Sequence, residues 1–267
     1  MAAGVIYETD PFEVERELYA VDSGYRSQGG FNLDTVGLPE KKFVPVLCPL
    51  QIDYANRKAY VVNNLKVVEA AAAAATSIKI AKGSFAKVGT FALLSAGIVV
   101  IVSAVDASEE AYDELTVSAL SAAIAKGAVL SEVTLEKLAA KVIANAAAEA
   151  TSVKIAKGSG ITGACTLSDG TNDITVSAVD TSRADYDTLT VAALTAALTA
   201  GDVIEEKTGS SPKAIHTATA LNYARTKIEA GATITALYRA YEIKEADLYI
   251  PVTEADKASL TSRFMFE

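Results

Sequence analysis

Hydrophobic and polar residues alternate along the middle of the chain with the period of two that is typical of a β-strand. Segment 77–81 shows this alternation, and the Lys-Gly-Ser sequence at 82–84 ends it with a turn. The apolar run 98–105 predicts a second, more deeply buried strand. Segment 117–124 then places apolar residues at i, i+3 and i+7, the spacing that predicts a short helix.

The same pattern returns further along the chain. Similar blocks occur twice in the same order: 75–84 and 150–159, 102–106 and 176–180, 112–127 and 186–201. Within the first block the single difference is Ile78, which is Val153 in the second copy. Chance does not produce such matches in order, so we interpret the middle of the chain as a tandem duplication. We therefore predict an α+β, strand-dominated fold with two tandem β-rich modules, each carrying one short helix.

Changes of composition divide the chain into four regions. We predict an N-terminal arm and anchoring region at 1–69, a first module at 70–136, a linker and second module at 137–211, and a C-terminal β segment at 212–267. Each flank is too small to build a strong core alone. We therefore expect the strands near 43–69 to pair with the C-terminal segment.

Local patterns place further elements in and beside these regions. The Ala-rich run at 70–75 predicts a hinge or a short helical spacer, the run at 138–150 a helix or spacer, and 255–260 a last helical turn. Segment 218–230 is compatible with a helix or a strand. Strands are predicted in the flanks at 43–52, 59–68, 233–243 and 248–252.

The charge and the rare residues exclude several classes of function. The 267 residues carry 33 acidic and 24 basic side chains, a formal charge of -9, which disfavours nucleic acid and anionic lipid as partners. One histidine, His216, and two cysteines, Cys48 and Cys165, form neither a four-ligand zinc site nor a disulfide framework. The uncharged run 88–105 is long enough to test as a membrane helix, but its glycines and β-branched residues favour strands. We expect no membrane span and, from the acidic N-terminus, no signal peptide.

One loop pattern repeats carboxylates that could hold a metal. Asp106 and Asp113 flank a polar loop in the first copy, and Asp180 and Asp187 do so in the second. These oxygens could bind Ca²⁺, but the spacing of an EF-hand is absent. The alternative is that they cap the loop through local hydrogen bonds, and we favour it. We expect the neighbouring lysines of each strand to face solvent, and we predict no catalytic residues and no cofactor.

The duplicated motif resembles that of a known class of viral proteins. Ala-Thr-x-x-Lys-Ile-x-Lys-Gly-Ser, followed by Ala-Val-Asp-x-Ser-x-x-x-Tyr-Asp-x-Leu-Thr, is similar to the pattern of head fibre and capsid-decoration proteins of tailed bacteriophages and prophages. The N-terminal segments 12–18 and 38–46 share the resemblance. It implies a virion protein on the capsid surface that contacts the major capsid protein or other capsid subunits. It also implies self-assembly, as a homotrimer, with repeated domains projecting outward.

We therefore expect a non-enzymatic virion structural protein, a head fibre or auxiliary decoration protein. The alternative is a cell-surface or secreted adhesin-like binding module. Tyr, Phe and Arg are enriched at the centres of interfaces. The candidate capsid contacts are Phe12, Tyr19, Tyr25, Arg26 and Phe31. Packing of a local core is an equally good interpretation for each of them.

Overall fold

The computed structural model describes residues 18–39 and 42–267. Strands dominate it, with 44% of residues in strands and 6% in helices. Among the described residues the one α-helix is α1 (Glu254–Leu260), and short 3-10 turns occupy Val21–Ser23, Glu245–Asp247 and Thr261–Arg263. Phe12, a candidate contact, lies outside the described residues.

The chain divides into two compact units. Unit 1 contains the described residues up to Thr134 together with Ala214–Glu267, and unit 2 contains Leu135–Lys213. Unit 2 is therefore inserted into the chain of unit 1. Its limits differ by two residues at each end from the region 137–211, whereas the first module and both flanks belong to one unit.

The flanks of the chain form an eight-stranded sheet in unit 1. Its order is β1-β22-β19-β4-β5-β2-β21, and β23 pairs with β22. The strands are β1 (Tyr25–Arg26), β2 (Phe31–Leu33), β4 (Pro49–Asp53), β5 (Lys58–Val61), β19 (Ala220–Asn222), β21 (Thr233–Ile234), β22 (Ala236–Ile243) and β23 (Phe264–Phe266). Strands β4 and β5 thus share a sheet with β21 and β22, and β19 and β2 complete the hydrogen-bonded path between them. A separate two-stranded sheet joins β3 (Phe43–Val44) and β20 (Thr226–Lys227).

Both faces of the large sheet are buried. Ala220 packs into one core with Leu50 and Ile52, whereas the next residue, Leu221, packs into another with Leu237. Successive side chains of a strand point to opposite faces, so β19 and β22 each contribute to two cores. This arrangement lets two short flanks bury enough apolar surface to form a stable domain.

The first module forms a sheet with the order β18-β11-β8-β9-β10-β7, in which β6 also pairs with β11. Its strands are β6 (Asn64–Lys66), β7 (Ser77–Ala81), β8 (Gly89–Leu93), β9 (Ile98–Asp106), β10 (Tyr112–Val117), β11 (Val129–Glu136) and β18 (Ser211–Ala214). The second module has the order β12-β17-β14-β15-β16-β13. Its strands are β12 (Ala139–Lys141), β13 (Ser152–Ala156), β14 (Cys165–Ser168), β15 (Asp173–Asp180), β16 (Tyr186–Val191) and β17 (Val203–Glu206).

Strand by strand, the order β6-β11-β8-β9-β10-β7 corresponds to the order of the second sheet. Single bridges, Val67 with Ile80 and Val142 with Ile155, join the two ends of each sheet at equivalent positions.

The short helix predicted in each module is wrong. Leu120 and Ile124 are buried, but their backbone N–H groups donate to the carbonyls of Ala75 (3.1 Å) and Ala71 (2.8 Å). Leu194 and Leu198 make the equivalent bonds in the second module, to Ala150 and Ala146. The segment predicted as a helix and the Ala-rich run therefore bond to each other, and neither keeps its N–H groups for helical i to i−4 bonds.

The structure also tests three other predictions, of which one is confirmed. Of the two alternatives for 138–150, a helix or a spacer, the helix is wrong for the same reason, because the segment contains strand β12 and turns. Segment 248–252 is not a strand: it buries Leu248, Ile250 and Val252 without joining a ladder among the described residues. The helical turn predicted at 255–260 is confirmed as α1. Thr253 caps this helix, accepting a bond from the backbone N–H of Asp256, whose side chain bonds back to Thr253.

No helix in the described part of the chain has the length and apolar character needed to span a membrane. The apolar run 88–105 instead lies in the antiparallel pair of β8 and β9.

Candidate functional site

Five side chains from four segments of unit 1 form a surface cluster that we call the tyrosine patch. They are Tyr25 of β1, Phe31 of β2, Tyr54 and Arg57 of the turn between β4 and β5, and Tyr238 of β22. Tyr25 and Tyr54 are 61% and 60% exposed, whereas Phe31 is 5% exposed. The patch therefore has a buried aromatic base and two tyrosines that project into solvent.

Ring contacts hold the patch together. The centroids of Tyr54 and Tyr238 are 6.3 Å apart with 28° between the ring planes, and Phe31 meets Tyr54 edge-on at 5.9 Å. The guanidinium of Arg57 lies 5.5 Å from the centroid of Phe31, and its Nη2 donates to the carbonyl of Gly30 at 2.8 Å. Edge-to-face and cation–π contacts of this kind fix orientation at little entropic cost.

The turn that carries Tyr54 is built by its own side chains. Asp53 accepts from the backbone N–H of Asn56 at 3.0 Å and from its side-chain amide at 2.7 Å. These bonds lower the pKa of Asp53, because they favour the charged carboxylate. Arg57 adopts a φ of 51°, which closes the turn. Tyr54 is thus held outward on a rigid turn.

Burial and the hydrogen bond with Tyr54 raise the pKa of Tyr238 to about 12. Its hydroxyl therefore stays protonated throughout the physiological range. The patch consists of aromatic faces, tyrosine hydroxyls and one guanidinium group, a chemistry suited to protein partners.

Four of the five candidate contacts lie in the described residues, and the structure places them differently. Tyr25 and Phe31 belong to the tyrosine patch, and Arg26, next to Tyr25, lies with its guanidinium 4.9 Å from the ring centroid of Tyr223. Tyr19 is 8% exposed and packs in the core with Leu237, and this burial raises its pKa. Of the two roles considered for Tyr19, core packing describes its position.

Sequence reasoning missed Tyr54, Arg57 and Tyr238. A signal existed for the first two, because Asp53-Tyr-Ala-Asn-Arg57 has the composition of a turn and a tyrosine there faces solvent. Tyr238 carries no such signal. It meets Tyr54 only because β19 lies between β22 and β4 in the sheet.

The repeated carboxylates occur in two equivalent clusters, one in each module. Lys82 Nζ bonds Asp113 Oδ1 at 2.7 Å and the carbonyl of Ala107 at 2.8 Å. Lys157 Nζ makes the same contacts with Asp187 (2.6 Å) and Thr181 (2.7 Å). The lysines keep the solvent exposure expected of them, at 33% for Lys82 and 37% for Lys157, but each also binds a carboxylate that is only 9% or 7% exposed.

The other two carboxylates cap the same loops. Asp106 accepts from the backbone N–H of Ser108 and Asp180 from that of Ser182, each at 2.9 Å. These bonds to the serines lower the pKa of both aspartates. Within the described ranges, no three His, Cys, Asp or Glu residues group as metal ligands would.

Comparison with protein families, with curated proteins and with solved structures finds no match for this chain.

Proposed function

We propose that this chain is a non-enzymatic structural protein of a virion, a head fibre or auxiliary decoration protein on the capsid exterior. Unit 1 attaches to the major capsid protein or another capsid subunit through the tyrosine patch. The two repeated modules face outward from the particle, and the chain assembles with copies of itself, as a homotrimer.

The single observation that carries the proposal is the exposure of Tyr54 on the buried ring of Phe31, together with the equally exposed Tyr25 of the same patch. A few Tyr, Trp and Arg side chains supply most of the energy at a typical interface. The distribution of these residues also supports it. Only Tyr112, Tyr186 and Arg183 represent tyrosine and arginine within 70–211, so these residue types concentrate in the flanks of the chain.

The contacts within the two modules favour a spacer role for them rather than a role in attachment. Both module tyrosines have a lysine ammonium 4.9 Å from the ring centroid, Lys79 over Tyr112 and Lys154 over Tyr186. Each ring is therefore already engaged within its own module. Repeating a small sheet is an economical way to extend a projection from a surface.

The attachment experiment uses point variants, since removal of residues 1–40 would delete β1 and β2 and the buried Phe31. We expect Tyr54→Ser and Tyr25→Ser to lower capsid binding at least about tenfold each, the scale of a hot-spot side chain. Tyr112→Ser is the matched control, because it removes a tyrosine from a module, and it should bind like the wild type. Binding is measured by co-sedimentation with capsids assembled without the protein.

A second variant tests the projection. Ser210 donates its backbone N–H to the carbonyl of Glu136 at 3.2 Å, so the chain ends left by removing 137–209 are adjacent. Joined by a short glycine linker, this variant should decorate capsids at wild-type density and show a shorter projection in electron microscopy. Full decoration by both patch variants would disprove the attachment role. Binding of the wild type to cells but not to capsids would favour the adhesin-like alternative.

A further inference from the structure

A concave pocket of about 260 Å³ lies in unit 1 and shares no residue with the tyrosine patch. We call it the His216 pocket. Its polar lining residues are Asp34, Tyr60, Asn63, Lys87, Glu132 and His216. Asp34 lies in the loop after β2, Tyr60 in β5 and Asn63 between β5 and β6. Lys87 lies before β8, Glu132 in β11 and His216 before β19. The topology of unit 1 therefore brings six separate segments together around one cavity.

One wall of the pocket is a fixed hydrogen-bond network around Glu132. Lys87 Nζ lies 2.8 Å from Glu132 Oε1, and Asn63 Nδ2 donates to Glu132 Oε2 at 3.0 Å and to the carbonyl of Phe85 at 3.1 Å. Asn63 is 5% exposed, and its Oδ1 has no hydrogen-bond partner within the described part of the chain. Buried amide oxygens are nearly always paired, so Asn63 Oδ1 is an exception in the wall of this pocket.

His216 supplies a second acceptor. Its Nδ1 lies 2.7 Å from Gln51 Oε1, and because that amide oxygen accepts, Nδ1 carries the hydrogen and the Nε2 lone pair is free to accept. The imidazole stacks on Tyr60, with 4.7 Å between centroids and 20° between the planes. Burial lowers the pKa of His216, which keeps the ring neutral at pH 7.

The charges around the pocket balance one another. Glu132 pairs with Lys87, and Asp34 lies 3.7 Å from Lys58 Nζ. A phosphate would meet the carboxylates of Asp34 and Glu132, and a free ammonium group would meet the ammonium of Lys87. The lining therefore favours a neutral ligand that both donates and accepts hydrogen bonds.

We propose that the His216 pocket binds a neutral pyranose sugar. The volume falls near the lower end of ligand pockets, which fits a single ring rather than a larger ligand. Sugar hydroxyls can donate to His216 Nε2 and accept from Lys87, while the ring C–H groups pack on the stacked Tyr60 and His216. The proposal does not depend on the virion role.

The test is saturation-transfer NMR of the full chain with glucose, galactose, mannose and N-acetylglucosamine, and with glucosamine and glucuronate as charged counterparts. We expect at least one neutral sugar to bind with a Kd on the order of 1 mM. His216→Phe keeps a ring over Tyr60 but removes Nε2, and it should weaken binding at least about tenfold, the loss that follows when a polar acceptor is removed from a sugar site. Val36→Tyr should block the pocket, since Val36 lines it and is 87% exposed, so the larger side chain enters no core.

Tyr112→Ser, in a module, should bind like the wild type, and thermal melting checks that each variant is folded. Three results would each overturn the proposal. These results are the absence of binding by any neutral sugar, wild-type affinity in both pocket variants, and tighter binding of a charged counterpart than of its neutral sugar.

Discussion

The lysine of each repeated cluster is expected to stabilise its module, and Lys157 offers the clearest test. Its Nζ holds Asp187 of β16 at 2.6 Å and the carbonyl of Thr181, in the loop before β16, at 2.7 Å. Lys157→Met keeps an unbranched apolar stem one atom shorter than lysine and removes both bonds. The carboxylate of Asp187, 7% exposed, then loses its cationic partner.

The size of the effect follows from burial. Hydrogen bonds to charged groups are worth about 1.5–3 kcal/mol, and leaving one partner of a fully buried ion pair costs about 3–5 kcal/mol. The side chain of Lys157 is 37% exposed, so solvent screening reduces both figures. We expect Lys157→Met to lower the free energy of unfolding of unit 2 by about 1–2 kcal/mol.

The assay compares hydrogen exchange of the β15 and β16 amides with urea unfolding followed by circular dichroism. Lys154→Met is the matched control in β13, because Lys154 contacts the ring of Tyr186 at 4.9 Å, and it should cost about 0.5 kcal/mol. A double-mutant cycle with Asp187→Asn should give a coupling of about 1 kcal/mol. Equal effects of the two lysine variants, or strict additivity in the cycle, would refute the reasoning.

Three further predictions concern the cysteines, the histidine and metal. Burial raises the thiol pKa of both cysteines, and Cys48 is only 1% exposed. We therefore expect Ellman's reagent at pH 8 to modify Cys165 first and Cys48 only after unfolding. Rapid reaction of Cys48 in the native state would contradict this. The folded pKa of His216 lies below its ordinary 6.5, so the unfolded chain binds the proton first as pH falls below about 6.5, and stability is lost there. The urea midpoint should therefore fall more between pH 7 and 5 for the wild type than for His216→Phe, and equal falls would count against it. Millimolar Ca²⁺ should leave the melting temperature unchanged, because Asp113 and Asp187 already bind lysines; a rise that Asp187→Asn abolishes would establish a metal site.

Local sequence was sufficient for the strands and for the repetition of the pattern. The alternation at 77–81 and the apolar run at 98–105 correspond to β7 and β9, since a strand with one buried face needs an apolar residue at every second position. The deeper burial predicted for 98–105 is wrong, because β9 also buries only one face and Ile101 is 49% exposed. Local spacing failed for 117–124. Its apolar residues do face the core, but their backbone groups pair with an Ala-rich segment some distance away in the sequence. A helical spacing of apolar residues reports which side chains are buried, not which groups satisfy the backbone.

The candidate sites show the same difference between what local sequence determines and what long-range contacts determine. Sequence by itself determined the strand content, the position of the repeated blocks, and the presence of Tyr and Arg in the flanks, because these depend on residue type and on neighbours within a few positions. Only the tertiary structure decided that Tyr54 of one flank stacks on Tyr238 of the other, and that His216 faces Asn63 and Glu132. These contacts join residues that are far apart in the chain, and they exist because the order of strands in one sheet brings both flanks together. Strand order is set by the burial of whole faces, which no local pattern encodes.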